Sequence, residues 1–166
     1  MRSPDRLLVF LIGSLAALAL AACSSGTATS SPTSGGASPA GGSPAAGQTV
    51  DVTLQEWAVV PASDSVAAGD VSFAVTNNGP EDVHEFVVLK TDLDAAALPT
   101  DDTGAVVEAG EGITVVDEIE DIPVGESQDL SVALDAGRYV LLCNIYDETE
   151  QEAHYTMGMR TNFTVE

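Results

Sequence analysis

The chain has 166 residues, with five Lys or Arg against 26 Asp or Glu and a formal net charge of −21. That balance excludes a nucleic-acid ligand, since a phosphate backbone is held by Lys and Arg. It suits solubility, attraction of cations and docking to basic proteins, and the length leaves room for one domain once the ends are set aside.

Met1 to Ala22 has the build of a secretion signal. Arg2 and Arg6 give a basic start, Leu7 to Leu20 is an apolar run broken only by Gly13 and Ser14, and small residues follow. The run is shorter than the about 20 residues a membrane-spanning helix needs. Leu20-Ala21-Ala22-Cys23-Ser24 resembles the lipobox of bacterial lipoproteins. The resemblance implies cleavage before Cys23, lipidation of its sulfur and of the freed amine, and anchoring at the extracytoplasmic face of the cell membrane. More than one acyl chain makes such an anchor stable. Without Arg2, Arg6 and Asp5, three basic groups (Lys90, Arg138 and Arg160) face 25 acidic ones, a net charge near −22.

After the lipidated Cys23, Ser24 to Gln48 is Ser, Gly, Ala, Thr, Pro and Gln without a single charge. Such a stretch cannot bury enough apolar surface to fold and is expected to be a disordered tether over residues 23–48. A flexible chain of about 25 residues has an r.m.s. reach of roughly 25–30 Å. The folded domain is expected over residues 49–166.

From Thr49 the pattern alternates with period two. Val50, Val52 and Leu54 share one face and Asp51, Thr53 and Gln55 the other, which predicts a half-buried strand. Val71, Phe73 and Val75 alternate with Ser72, Ala74 and Thr76 in a second strand, which stops at Asn77-Asn78-Gly79-Pro80. His84 to Leu89 is a third, with His84, Phe86 and Val88 on one side. Asp92 to Leu98 predicts a short helix before Pro99, inside an otherwise acidic loop reaching Gly112. Strands are then expected over Ile113–Ile119, Leu130–Leu134, Tyr139–Cys143 and Arg160–Val165. Seven or so short strands and one minor helix predict an all-β, antiparallel β-sandwich.

The chemistry concentrates near the C-terminal end. Cys143, His154, Met157 and Met159 fall between Tyr139 and Val165, and the second histidine, His84, opens the third strand. If the strands of His84 and Cys143 run antiparallel, the start of one meets the end of the other at one pole of the sandwich. Two imidazoles, a thiol and a thioether are the donor set of a blue-copper electron-transfer site. With Cys23 used for lipid, Cys143 has no disulfide partner, and an unpaired thiol in an exported protein is explained by metal ligation. Taken singly, each residue also has a plain structural use: a buried Cys as a small hydrophobe, a Met as core filler.

Asn77-x-Gly79, His84-Glu85-Phe86, Tyr139–Cys143 and His154-Tyr155-Thr156-Met157-Gly158-Met159, in that order, resemble the cupredoxin family, the plastocyanin and azurin relatives. The resemblance covers roughly residues 49–166. It implies a Greek-key sandwich with a short helix in the 91–112 insertion and one type 1 copper ion. His84, Cys143 and His154 would be its equatorial ligands, Met159 the axial one, and His154 the electron port. Met157 competes with Met159 for the axial place.

Two departures stand out. Ten residues, Asn144 to Ala153, separate the cysteine from the second histidine where many relatives have two to four, so a long, mobile, negative loop is expected. Glu85 stands where plastocyanin-like proteins tend to carry an Asn that braces the cysteine loop. The function implied is a monomeric, membrane-anchored one-electron carrier exchanging electrons with redox partners that present basic docking surfaces. A lipoprotein for copper buffering or delivery is one alternative, and a copper-free interaction module another. An enzyme in its own right is not expected: multicopper chemistry needs further histidine clusters, and the chain has two histidines. Zinc hydrolysis lacks a third nitrogen ligand.

Overall fold

The computed structural model describes residues 47–166. The leader, the lipobox cysteine Cys23 and all but the end of the tether lie outside the described residues.

The described residues form a two-sheet β-sandwich. Its strands in chain order are β1 (Gln48–Gln55), β2 (Ala58–Pro61), β3 (Ser65–Val66), β4 (Gly69–Asn77), β5 (His84–Thr91), β6 (Ile113–Ile122), β7 (Ser127–Leu134), β8 (Gly137–Leu142), β9 (Tyr146–Asp147), β10 (Glu152–Ala153) and β11 (Arg160–Val165). One sheet has the order β2-β1-β4-β7 and the other β3-β11-β8-β5-β6, while β9 and β10 form a separate small hairpin. The long strands fall where the sequence reading placed them. The additional ones, β2, β3, β9 and β10, are two to four residues long, too short to show a period in sequence. Most pairings are antiparallel, as expected, but β1–β4 and β3–β11 are parallel. Alternation reports which face a side chain takes and carries no information on strand direction.

The core follows from the same alternation. Val50, Val52, Leu54, Val71, Phe73 and Val75 from one sheet meet Phe86, Val88, Tyr139, Leu141 and Phe163 from the other. At the centre the Phe73 ring lies 5.3 Å from Phe86 and 5.7 Å from Phe163, both inclined, which favours aromatic pairs beyond their buried area.

β5 and β8 are apolar on both faces, and the second face has its own cover. Val87, Leu89, Val140 and Leu142 pack against Ala95, Leu98, Val106 and Tyr155, so the 91–112 insertion lies over the outside of the five-stranded sheet. Continuous burial on both faces explains the unbroken runs Phe86–Leu89 and Tyr139–Leu142. The short helix expected within Asp92–Leu98 is present as a single 3-10 turn, Ala95–Ala97, with Asp94 accepting from the Ala96 N–H at 2.9 Å. Pro99 has no N–H to continue it, and its job is to place Ala95 and Leu98 against the sheet.

Candidate metal centre

Antiparallel pairing of β5 with β8, in the register Val87 to Leu142, brings the start of one against the end of the other. His84 opens β5 and Cys143 follows β8, so both stand at one pole, as expected. β11 runs antiparallel to β8 on its other side, and the Cys143 N–H donates to the Met159 carbonyl at 3.1 Å. Adjacent strands therefore fix three of the four sequence-selected residues before any loop is considered.

His154 arrives by a different route. The ten-residue segment between Cys143 and His154 is no open loop: β9 and β10 pair within it, Tyr146 opposite Ala153 and Asp147 opposite Glu152. His154 then starts a one-turn helix, α1 (His154–Met157), which sequence gave no sign of. Its N–H donates to the Ile145 carbonyl at 2.9 Å, and its own carbonyl accepts from Met159 at 3.1 Å. Gly158 ends the turn at φ 132°, a left-handed value that favours glycine, and a Cβ there would stand 2.9 Å from the Trp57 carbonyl oxygen.

The result is a buried cluster. The ligand-capable atoms of His84, Cys143 and His154 all lie within 4.8 Å of one another. His84 Nδ1 is 3.2 Å from His154 Nδ1, and Cys143 Sγ is 3.4 Å from His154 Nδ1. Both imidazoles thus turn the same nitrogen inward, and none of the three residues is more than 2 % exposed. Met159 is fully buried in the core cluster that includes Cys143, whereas Met157 is 42 % exposed on α1. Met159 thus shares the core with Cys143, while Met157 lies at the surface.

The electrostatics suit a cation. Burial pushes the Cys143 thiol up to about 12, against N–H groups of Glu85 and Ile145 directed at the sulfur; the Glu85 N–H lies 3.4 Å from Sγ. Burial also lowers both histidines, His84 further through its proximity to His154. At neutral pH the cluster is therefore one neutral thiol and two neutral rings, with no resident positive charge to repel an ion. A soft thiol with two imidazoles can hold one transition-metal ion, which takes up the sulfur as thiolate and releases its proton.

The neighbouring residues complete the frame. Glu85, the departure from the family pattern, braces the cysteine loop itself: its Oε1 accepts from the Asn144 N–H at 2.6 Å. The Asn144 side chain then donates to the Val106 carbonyl and to Glu108, at 3.1 and 2.9 Å, tying that loop to the insertion. Trp57 sets its ring edge-on to His154, centroids 5.0 Å apart, and 6.5 Å from His84. Glu56 places Oε1 3.7 Å from His84 Nε2. Burial raises the Glu56 carboxyl, but the Asp82 N–H and further backbone donors outweigh it and hold the group below the usual carboxylate range. Sequence reasoning passed over Glu56 and Trp57. The one clue was that Trp57 is the chain's single tryptophan; nothing in the spacing joins residues 56 and 84.

On its outer side His154 lines a surface cavity of about 350 Å³ together with Glu81, Asp82, Val83, Asp121, Ile145 and Asp147. Asp121 has φ 48°, at the bulge where β6 spends an extra residue opposite the start of β5; bulges at sheet ends commonly re-aim side chains. Cys23 lies outside the described residues.

No family model matches the chain, and no curated protein matches it in sequence. Solved structures do match. Dithionite-reduced auracyanin from the photosynthetic bacterium Roseiflexus castenholzii aligns over 74 % of this chain and 99 % of its own at 22 % identity, with a TM-score of 0.51. The azurin Az-iso2 of Methylomonas sp. strain J aligns over 73 % and 99 % at 16 % identity, TM-score 0.48. Auracyanin A of Chloroflexus aurantiacus, a blue copper protein, aligns over 71 % and 98 % at 18 % identity, TM-score 0.48. The described domain has the cupredoxin-like sandwich fold.

Proposed function

We propose that the domain is a type 1 copper protein that carries single electrons and is not itself an enzyme. The observation that supports this most is the convergence of His84, Cys143 and His154 within 4.8 Å, buried, at one pole of the sandwich. His84 Nδ1, Cys143 Sγ and His154 Nδ1 would hold one copper ion, with the buried Met159 as a further, weak thioether donor. When bound, copper would supply a reversible one-electron couple, tuned by that thioether. The chain's own part is to fix the donors: neighbouring strands hold Cys143 and Met159, Glu85 braces the cysteine loop, and Trp57 wedges the His154 ring. His154, lining the surface cavity, is the exit for the electron. The four carboxylates beside it suit a redox partner with a basic docking surface.

Lipidation of Cys23 would anchor a monomer at the extracytoplasmic face of the membrane, the tether giving it reach to its partners. The test is direct. Purified protein loaded with Cu(II) is expected to turn intensely blue through thiolate-to-copper charge transfer, and Cys143→Ser to stay colourless. A reversible voltammogram supports the carrier. Protein that takes only Cu(I), without colour or a reversible wave, points instead to copper buffering or delivery, a role the acidic cavity also suits. Metabolic labelling with a fatty acid, compared between the wild type and Cys23→Ala, tests the anchor.

A further inference from the structure

Two buried polar atoms at the cluster, one on an imidazole and one on the carboxylate beside it, have no hydrogen-bond partner among the described residues. His84 Nε2 and Glu56 Oε2 are both without a partner, and Glu56 Oε1 lies 3.7 Å from His84 Nε2. A buried polar group left unpaired costs about 1–3 kcal/mol, so an unpaired imidazole nitrogen beside a carboxylate needs an explanation. His84 turns Nδ1 toward His154 and Cys143. A neutral ring that offers its Nδ1 lone pair to a metal ion carries its proton on Nε2, which then requires an acceptor.

The carboxylate that meets this requirement is held by design of the local chain. Glu56 Oε1 accepts from the Asp82 N–H at 2.9 Å and the Glu81 N–H at 3.3 Å. The segment leading into His84 thus grips the same group that faces its ring. Gly79 makes the space: a Cβ there would stand 2.5 Å from Glu56 Oε1 and 2.6 Å from Oε2. The glycine in Asn77-x-Gly79 therefore has a use that its turn does not account for. Any larger residue at 79 would push the carboxylate off.

We infer that Glu56 is a positioning residue which accepts a hydrogen bond from the Nε2–H of His84, fixes that ring with Nδ1 directed into the cluster, and raises its donor strength toward the higher oxidation state of a bound ion. At 3.7 Å the contact is longer than a hydrogen bond; a cation drawing on Nδ1 makes Nε2–H more acidic and closes it. Carboxylate–imidazole–metal arrays of this kind are worth about 10–100-fold in metal affinity. This inference rests on the metal reading of the same cluster, so its test has one arm without metal.

In the apo protein, long-range ¹H–¹⁵N correlation of the imidazoles is expected to show His84 protonated at Nε2. Glu56→Ala is expected to give a mixture of tautomers. Glu56→Gln keeps an oxygen for the Asp82 and Glu81 donors and so preserves the fold. In copper-loaded protein it is expected to lose about 10–100-fold in Cu(II) affinity relative to Cu(I), which raises the reduction potential by about 60–120 mV at 59 mV per decade for one electron. Gly79→Ala is expected to shift the potential in the same direction. A His84 tautomer unchanged in Glu56→Ala, or protonated at Nδ1 in the wild type, overturns the inference. So does an unchanged potential in Glu56→Gln. Failure of the wild type to bind copper would instead remove the proposed function and leave the tautomer result standing.

Discussion

Two methionines two residues apart have opposite surroundings. Met159 is fully buried beside Cys143, while Met157 looks outward from α1. In the apo domain Met159→Ala is expected to cost about 2–5 kcal/mol, as other core truncations do, and Met157→Ala less than about 0.5 kcal/mol; urea unfolding of the two variants measures the difference. In copper-loaded protein, Met159→Gln replaces a soft thioether by a harder oxygen and is expected to lower the potential, with Met157→Gln leaving it unchanged. Glu85 offers a pH test. Burial raises its carboxyl to about 7 from an ordinary 4.5, against the bond from Asn144 and with help from Glu108, Glu118 and Glu120. The folded chain therefore binds this proton more tightly than the unfolded chain. Its contribution is fully present below about pH 4.5 and is lost as pH rises through about 7, on the order of 3 kcal/mol. Urea titrations of the apo domain at pH 5 and pH 8 are expected to show that loss in the wild type. Glu85→Gln, which keeps the acceptor for Asn144 and cannot titrate, is expected to flatten it.

At the scale of the elements, one buried amide joins three segments around the first ligand. Asn77 ends β4 and is fully buried. Its Nδ2 donates to the Asp82 carbonyl at 2.8 Å and the Ile122 carbonyl at 2.9 Å, and its Oδ1 accepts from the Gly79 N–H at 2.9 Å. Asn77→Ala leaves two buried backbone groups and one partly buried one without this side chain's bonds and is expected to cost about 3–5 kcal/mol, read by thermal or urea unfolding. The loop of Glu81 and Asp82, which grips Glu56, should loosen with it. Legibility in the sequence divides along the same line. Strands β1, β4 and β11 could be read because period-two burial is a local property, β5 and β8 because a short unbroken apolar run is one too, and the meeting of His84 with Cys143 followed from antiparallel pairing alone. The hairpin β9–β10 and the helix turn α1 could not be read, since they are too short to show a period and are held by tertiary bonds such as that from His154 to Ile145. Glu85 looked like a defect because the family pattern has an amide there. Only the position of the Asn144 N–H shows that a carboxylate oxygen does the same bracing.

Over the whole molecule, charge is the feature most open to direct measurement. Three basic groups against 25 acidic ones over residues 23–166 give a strongly negative net charge, and the acidic residues lining the His154 cavity add to it where an electron would leave. Such a field attracts cationic reactants and repels anionic ones, by factors of about 10 to 10³ in encounter rate at low salt. It is screened as the Debye length falls from about 30 Å at 0.01 M to about 3 Å at 1 M ionic strength. Stopped-flow oxidation or reduction of the copper-loaded protein by a small cationic complex such as hexaammineruthenium is therefore expected to slow by at least about tenfold across that range. The same experiment with anionic ferricyanide is expected to speed up. Replacing Glu81, Asp82 and Asp147 by their amides removes three charges beside His154 and leaves most of the net charge in place. If the exit lies at His154, that variant is expected to lose most of the salt dependence with both reagents. Neutralising three acids at the opposite end, Asp64, Asp70 and Asp135, is expected to change it little. Equal effects from the two triple variants would mean that steering comes from net charge alone and that the electron has no preferred face.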